Sequence, residues 1–141
     1  MKLNLGCGSN WKELYPDYEG LDIIDYGQKY LCDILLWDSE NQYDEIMANH
    51  FLEHFDQDQL KAIFNKIHKC LKDNGIFKIV VPHQKKERAW ILSHRTYWNE
   101  TVANWLGEGE ARDVYGFGNW KVLEVITNER QDIHIKLEAV K

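Results

Sequence analysis

The sequence predicts an α/β fold: a mostly parallel sheet with reduced helices and an antiparallel hairpin at its C-terminal end. Three observations predict it. A short apolar strand, "KLNL" (2–5), runs directly into the two-glycine turn Gly6-Cys7-Gly8. An amphipathic segment from Asp56 onward leads into the β-prone run "IFKIVV" (76–81), the pattern of a helix feeding a buried parallel strand. Near the end, "KVLEVIT" (121–127) and "DIHIKLEAV" (132–140) flank a short "NERQ", which reads as a hairpin.

The elements follow in order. Residues 9–18 contain Pro16 and show little helical period, so at most one turn of helix fits there. "EGLDII" (19–24) reads as a second strand with Asp22 near its end, and "KYLCDIL" (29–35) as a third. Residues 38–42 form a polar loop, and "YDEIMA" (43–48) a fourth strand. Asp56 is the expected N-cap of the main helix. Leu60, Phe64, Ile67 and Leu71 then recur at helical spacing, and Asn74-Gly75 stops the helix. Residues 84–112 read as an insertion rich in Trp and charge. Within it Asn99 caps a short helix through Val102, Trp105 and Leu106, closed by Gly107 and Gly109.

Composition bounds the function. A length of 141 residues with 44% hydrophobic content predicts one folded domain over 1–141. A net charge of -6 disfavours nucleic acid as the main partner. No apolar run is long enough for a membrane helix and no signal segment precedes the first strand, so a cytoplasmic, membrane-free protein is expected. The three cysteines, Cys7, Cys32 and Cys70, suggest neither a disulfide framework nor a zinc site. Most of the six Trp are expected in the core, with some left for a pocket or a homodimer interface.

The chemistry centres on the first turn. A strand ending in G-x-G lets backbone approach a ligand closely. Asn10-Trp11 stand where a dinucleotide fingerprint would place its third glycine and a long helix. The turn therefore suits a ligand without a pyrophosphate, which argues against a nicotinamide dehydrogenase. A carboxylate such as Asp22, at the end of the second strand, can accept from a ribose diol. Asp33, after the third, can accept from the exocyclic amine of an adenine.

These residues resemble a known family. "LNLGCGSN" (3–10), "YEGLDIID" (18–25), "CDIL" (32–35), "YDEIMANHFLEHF" (43–55) and "IHKCLKDNGIFKIVVPH" (67–83) are similar to the class I S-adenosylmethionine (SAM)-dependent methyltransferases of type 11, in a trimmed form. The resemblance implies a Rossmann-like sheet and SAM as cofactor, with S-adenosylhomocysteine as product. It implies that Leu5, Gly6, Cys7 and Gly8 wrap the methionine moiety and that Asp22 binds the ribose. Ile23 would pack on the adenine, Asp33 and Ile34 would meet its edge, and Asn49 and His50 would border the sulfonium. Asn4 departs from the acidic residue usual there.

SAM is already activated, so a protein need only align donor and acceptor, exclude water and, for a hydroxyl or amine, remove a proton. His54, Glu53 and His83 are the catalytic candidates, with His54 preferred. Lys85, Lys86, Arg88 and Arg95 against the single acid Glu87 point to a small-molecule acceptor, anionic or sugar-like. His50 and His54 straddle a strand-to-helix junction rather than one helix face, so no metal is expected. The alternative is a non-catalytic SAM- or adenosine-binding module, or a partner subunit.

Overall fold

The computed structural model describes residues 1–141. Seven strands form one sheet: β1 (Lys2–Leu5), β2 (Glu19–Asp22), β3 (Tyr30–Leu31), β4 (Tyr43–Asn49), β5 (Leu71–Pro82), β6 (Trp120–Thr127) and β7 (Asp132–Ala139). Four helices accompany them: α1 (Trp11–Leu14), α2 (Gln57–Cys70), α3 (Glu100–Trp105) and α4 (Gly109–Asp113). The strand order is β3-β2-β1-β4-β5-β7-β6. Strands β1 to β5 pair in parallel, and β7 alone runs against its two neighbours. The order reverses beside β1, and a crevice opens beyond the carboxyl ends of strands at such a switch point.

Helix α2 covers one face of the sheet. Its Leu60, Ile63, Phe64, Ile67 and Cys70 are buried with Leu3 and Leu5 of β1, Ile46 and Ala48 of β4, and Phe77 and Ile79 of β5. The helix starts where expected. Gln59 N–H donates to Asp56 Oδ1 at 2.9 Å, and Asp56 N–H donates to Gln59 Oε1 at 3.0 Å. The opposite face carries polar side chains. Lys2 and Lys78 both pair with Glu45, and Lys136 lies 3.9 Å from Glu124. Burial together with the nearby Glu45 carboxylate pushes the Tyr18 phenol far above the usual range.

Several boundaries differ from the sequence reading, each for a local reason. The third strand shrinks to two residues because Asp33 turns the chain: its Oδ1 accepts from Leu35 N–H, and its carbonyl from Leu36 and Trp37. The second strand stops at Asp22, whose Oδ1 takes the N–H of Ile24. Helix α2 ends at Cys70, and Leu71 already opens β5. Asn74, at φ 65°, and Gly75 form an irregularity inside that strand rather than a helix stop. Gly109 begins α4 instead of closing α3. Trp37, Trp98 and Trp120 are core residues, while Trp90 stacks on Tyr97 at 4.1 Å and stays exposed.

The insertion is tied to the sheet through Glu100 at the start of α3. Its carboxylate accepts from Thr127 of β6 at 2.8 Å and meets His83 Nε2 at 2.9 Å. Its own backbone, Thr127 and His83 together pull its pKa from 4.5 down to about 2. A carboxyl depressed on folding stabilises the protein fully above its unfolded value and loses that contribution as pH falls through the folded one. Urea unfolding of Glu100→Gln should therefore show a deficit against wild type at neutral pH that narrows between about pH 5 and pH 2. A gap that is constant over that range would contradict the assignment.

Candidate functional site

The site begins at the glycine turn. Gly6 and Gly8 adopt φ of 61° and 69°, which side chains rarely tolerate. Gly6 and Cys7 N–H both donate to the Leu21 carbonyl, at 2.8 and 3.2 Å. Gly8 N–H donates to Asp22 Oδ2 at 3.1 Å. The ends of β1 and β2 are thus bound together, and Asp22 is fixed by one bond to each oxygen, Gly8 on Oδ2 and Ile24 on Oδ1. A carboxylate has about four acceptor positions, so both oxygens retain capacity.

A cavity of about 490 Å³ lies above this turn. Gly6, Asp22, Ile23, Asp33, Ile34 and His50 line it, as does His54. These are six of the ten residues expected around a cofactor, and one of the three expected in catalysis. Ile23 and Ile24 are large exposed apolar residues at its rim. Asp33 uses Oδ1 for Leu35, which leaves Oδ2 to a ligand.

The other expected residues lie elsewhere. Leu5 is fully buried in the core. Cys7 packs its sulfur where a Cβ on Gly20 would stand, and burial and then Asp22 push its thiol up, so it is no ready nucleophile. Gly8 sits at the turn without lining the cavity. Asn49 donates to the Tyr15 hydroxyl at 3.1 Å on the polar side of the sheet. His83 is buried with both ring nitrogens engaged: Nδ1 accepts from Lys85 N–H, and Nε2 meets Glu100.

Sequence reasoning missed Phe51, Phe55 and Cys32 in the lining. The two Phe rings meet edge-on at 4.9 Å, and Phe51 lies directly against Gly6. It also missed Gln28, a buried plug that shapes the loop after β2. Gln28 Nε2 donates to the carbonyls of Asp22, Ile24 and Tyr30, and its Oε1 accepts from Tyr26 N–H. No spacing rule marks a polar loop residue for burial.

A second cavity, of about 430 Å³, adjoins the first. It is lined by His50, Glu53, His54, Lys86, Arg88 and His94, together with Pro82 and Ile91. His50 and His54 border both cavities. His50 holds φ of 50°, with Nδ1 at 3.4 Å from Glu53 and Nε2 at 3.8 Å from Asp132. The Glu53 contact, with the charges of Glu53 and Asp132, holds its imidazole above the usual value against burial and Lys86. Lys86 pairs with Asp132 at 2.8 Å. A larger apolar cavity of about 630 Å³, among α2, α3 and α4, shares no lining residue with either.

A family model described as "Methyltransferase domain" matches residues 3–119. The chain belongs to this methyltransferase family. Solved structures agree on the fold. The 1,6-didemethyltoxoflavin-N1-methyltransferase of Burkholderia thailandensis, crystallised with 1,6-didemethyltoxoflavin and S-adenosylhomocysteine, superposes with a TM-score of 0.74 at 16% identity, over 99% of this chain and 71% of that one. The N-methyltransferase NodS of Bradyrhizobium japonicum, in complex with S-adenosylhomocysteine, gives 0.72 at 16% identity, over 99% and 78%. The mitomycin 7-O-methyltransferase MmcR gives 0.70 at 11% identity, over 99% and 48%. A search of curated protein sequences finds no match. The Rossmann-like class I methyltransferase sheet, with its antiparallel C-terminal hairpin, is therefore the fold of this methyltransferase. No helix in it is long and apolar enough to cross a membrane.

The glycine turn is the most constrained part of the site. A Cβ at Gly6 would strike the Phe51 ring as well as adopt a strained φ. Gly6→Ala should lower stability by about 1–3 kcal/mol in urea unfolding. Adding Phe51→Ala should recover the steric part but not the backbone part. Two losses that simply add would show that Phe51 does not press on Gly6.

Proposed function

We propose that this chain, working as one domain over residues 1–141, transfers a methyl group from SAM to a small-molecule acceptor, anionic or sugar-like. One observation carries the reading: two cavities of different character adjoin, and His50 and His54 border both. Methyl transfer needs a donor and an acceptor in direct contact along one line, and adjoining cavities allow that where they open to each other beside these two residues.

The first cavity fits the donor. Asp22 offers carboxylate capacity for a ribose diol, Ile23 and Ile24 offer apolar surface for a base, and Asp33 Oδ2 offers an acceptor for an amine. Gly6 brings bare backbone to the same space. The bound donor supplies a methyl group on a positively charged sulfur, which needs no further activation. The protein's own part is to place the acceptor and take its proton. His54 is suited to the latter. Its Nδ1 lies 3.2 Å from the Ser93 carbonyl, which can only accept. That fixes the proton on Nδ1 and leaves a lone pair on Nε2. Glu53 acts through His50 rather than on the acceptor, and His83 is held in the scaffold.

The second cavity favours a negative acceptor. Lys86 is matched by Asp132, but Arg88 has no carboxylate partner and borders the same space. The didemethyltoxoflavin and mitomycin methyltransferases named above act on small molecules, which supports an acceptor of that size.

Calorimetric titration with S-adenosylhomocysteine should show one site, weakened at least about tenfold in Asp22→Ala, because a hydrogen bond to a charged group contributes about 1.5–3 kcal/mol. Wild type that ignores millimolar ligand would refute the donor assignment. Binding with no S-adenosylhomocysteine formed from SAM against a pool of small metabolites would favour a non-catalytic module.

Once an acceptor is found, Arg88→Glu should raise its KM by about tenfold while kcat changes little, the signature of lost ground-state attraction. An unchanged KM would remove the anionic preference.

A further inference from the structure

The buried carboxylate of Glu53 is only half used. The residue is 1% exposed, its Oε2 meets His50, and its Oε1 has no partner at all. A buried carboxylate oxygen without a hydrogen-bond partner is costly, and such groups ordinarily face a cation or a donor. Two imidazoles stand beside it. One ligand atom from each of Glu53, His54 and His94 lies within 4.8 Å of the other two. The His54 and His94 rings meet edge-on, with centroids 4.8 Å apart.

Both rings are held in the same tautomer. His54 Nδ1 meets the Ser93 carbonyl at 3.2 Å, and His94 Nδ1 meets the Ala89 carbonyl at 3.0 Å. A carbonyl cannot donate, so each Nδ1 carries the hydrogen and each Nε2 keeps its lone pair. Backbone carbonyls that orient imidazoles in this way are the usual support of metal-ligating histidines. The segment after His94 is also fixed to the third group: Arg95 and Thr96 N–H both donate to the Glu53 carbonyl, at 2.7 and 3.3 Å. Residues far apart in sequence are therefore held together before any ligand arrives.

We infer that Glu53 Oε1, His54 and His94 form a binding site for one divalent transition-metal ion of the zinc class. Two imidazoles and a carboxylate suit such borderline ions better than magnesium or calcium, which prefer oxygen alone. Bonds of about 2.0–2.1 Å require the three ligand atoms to draw together from separations of up to 4.8 Å, which side-chain rotation supplies. Three protein ligands leave a position open, and the cavity with Lys86 and Arg88 lies against it. His50, on the other oxygen of Glu53, orients the carboxylate. The inference goes beyond the methyl-transfer reading and does not depend on it, but the two uses of His54 exclude each other: an ion on Nε2 occupies the lone pair that would take the acceptor's proton, so proton removal by His54 belongs to the metal-free protein.

The test uses the full chain without a histidine tag. Zinc titration by calorimetry should show one site, and cobalt should give visible absorption bands of a low-coordinate nitrogen and oxygen shell. His54→Ala and His94→Ala should each weaken zinc at least about tenfold, whereas His134→Ala, on β7, should not. Nitrogen NMR of the wild-type imidazoles should show two Nε2 signals shifting on zinc addition, a readout that needs no variant to fold. Absence of stoichiometric binding would overturn the site, as would shifts confined to other histidines or binding indifferent to both substitutions. No donor or acceptor enters these measurements, so a negative result leaves the methyl-transfer reading intact.

Discussion

The site depends on one carboxylate. Asp22 ends β2 and receives the N–H of Gly8 on one oxygen and that of Ile24 on the other. The first bond fixes the glycine turn, and the second fixes the exposed isoleucines that follow. Without it, two strands paired over only three positions would have only the bonds from Gly6 and Cys7 to the Leu21 carbonyl to relate their two loops, and none to the isoleucines. Gln28 completes the arrangement from below by joining the same loop to β3. Function and local stability here rest on the same atoms, because the acceptor capacity that Asp22 retains is what a ribose would use.

The small chain supports a seven-stranded sheet by treating its two faces differently. Helix α2 and the residues around α3 give one face an apolar cover. The other is met by Tyr15 and Tyr18, whose rings pack edge-on at 5.8 Å. Its strands answer with charge: Glu45 between Lys2 and Lys78, and Lys136 near Glu124. Pairs whose lysine lies in solvent add little stability each. Their effect is that a sheet face with little helix cover presents charge rather than an apolar patch to water.

Much of this was legible because local chemistry and global fold agree. The box at Asp56, the period of Leu60, Phe64 and Ile67, and the glycine turn each point one way. Boundaries failed where one residue serves two patterns. Leu71 continues the helical stripe yet is the first residue of β5, and Asp33 belongs to a β-prone run that its own carboxylate ends. Among site residues, Asp22 and Asp33 were expected because they sit at or just past strand ends, whereas Ile23 was expected only through the family resemblance. Phe51 and Phe55 were not expected, since an aromatic beside a core helix reads as packing. The approach of His94 to His54 was also hidden: it is set by hydrogen bonds from Arg95 and Thr96 to the Glu53 carbonyl, and no spacing rule reports a contact made by the main chain of a distant segment.

That His50 and His54 border both cavities has a thermodynamic corollary. Two ligands that touch the same pair of rings cannot bind independently if either one turns a ring. Whatever factor the first ligand imposes on the affinity of the second, the second must return to the first. In so small a protein, cooperativity between the two chambers needs no moving domain, only two imidazoles that both ligands touch.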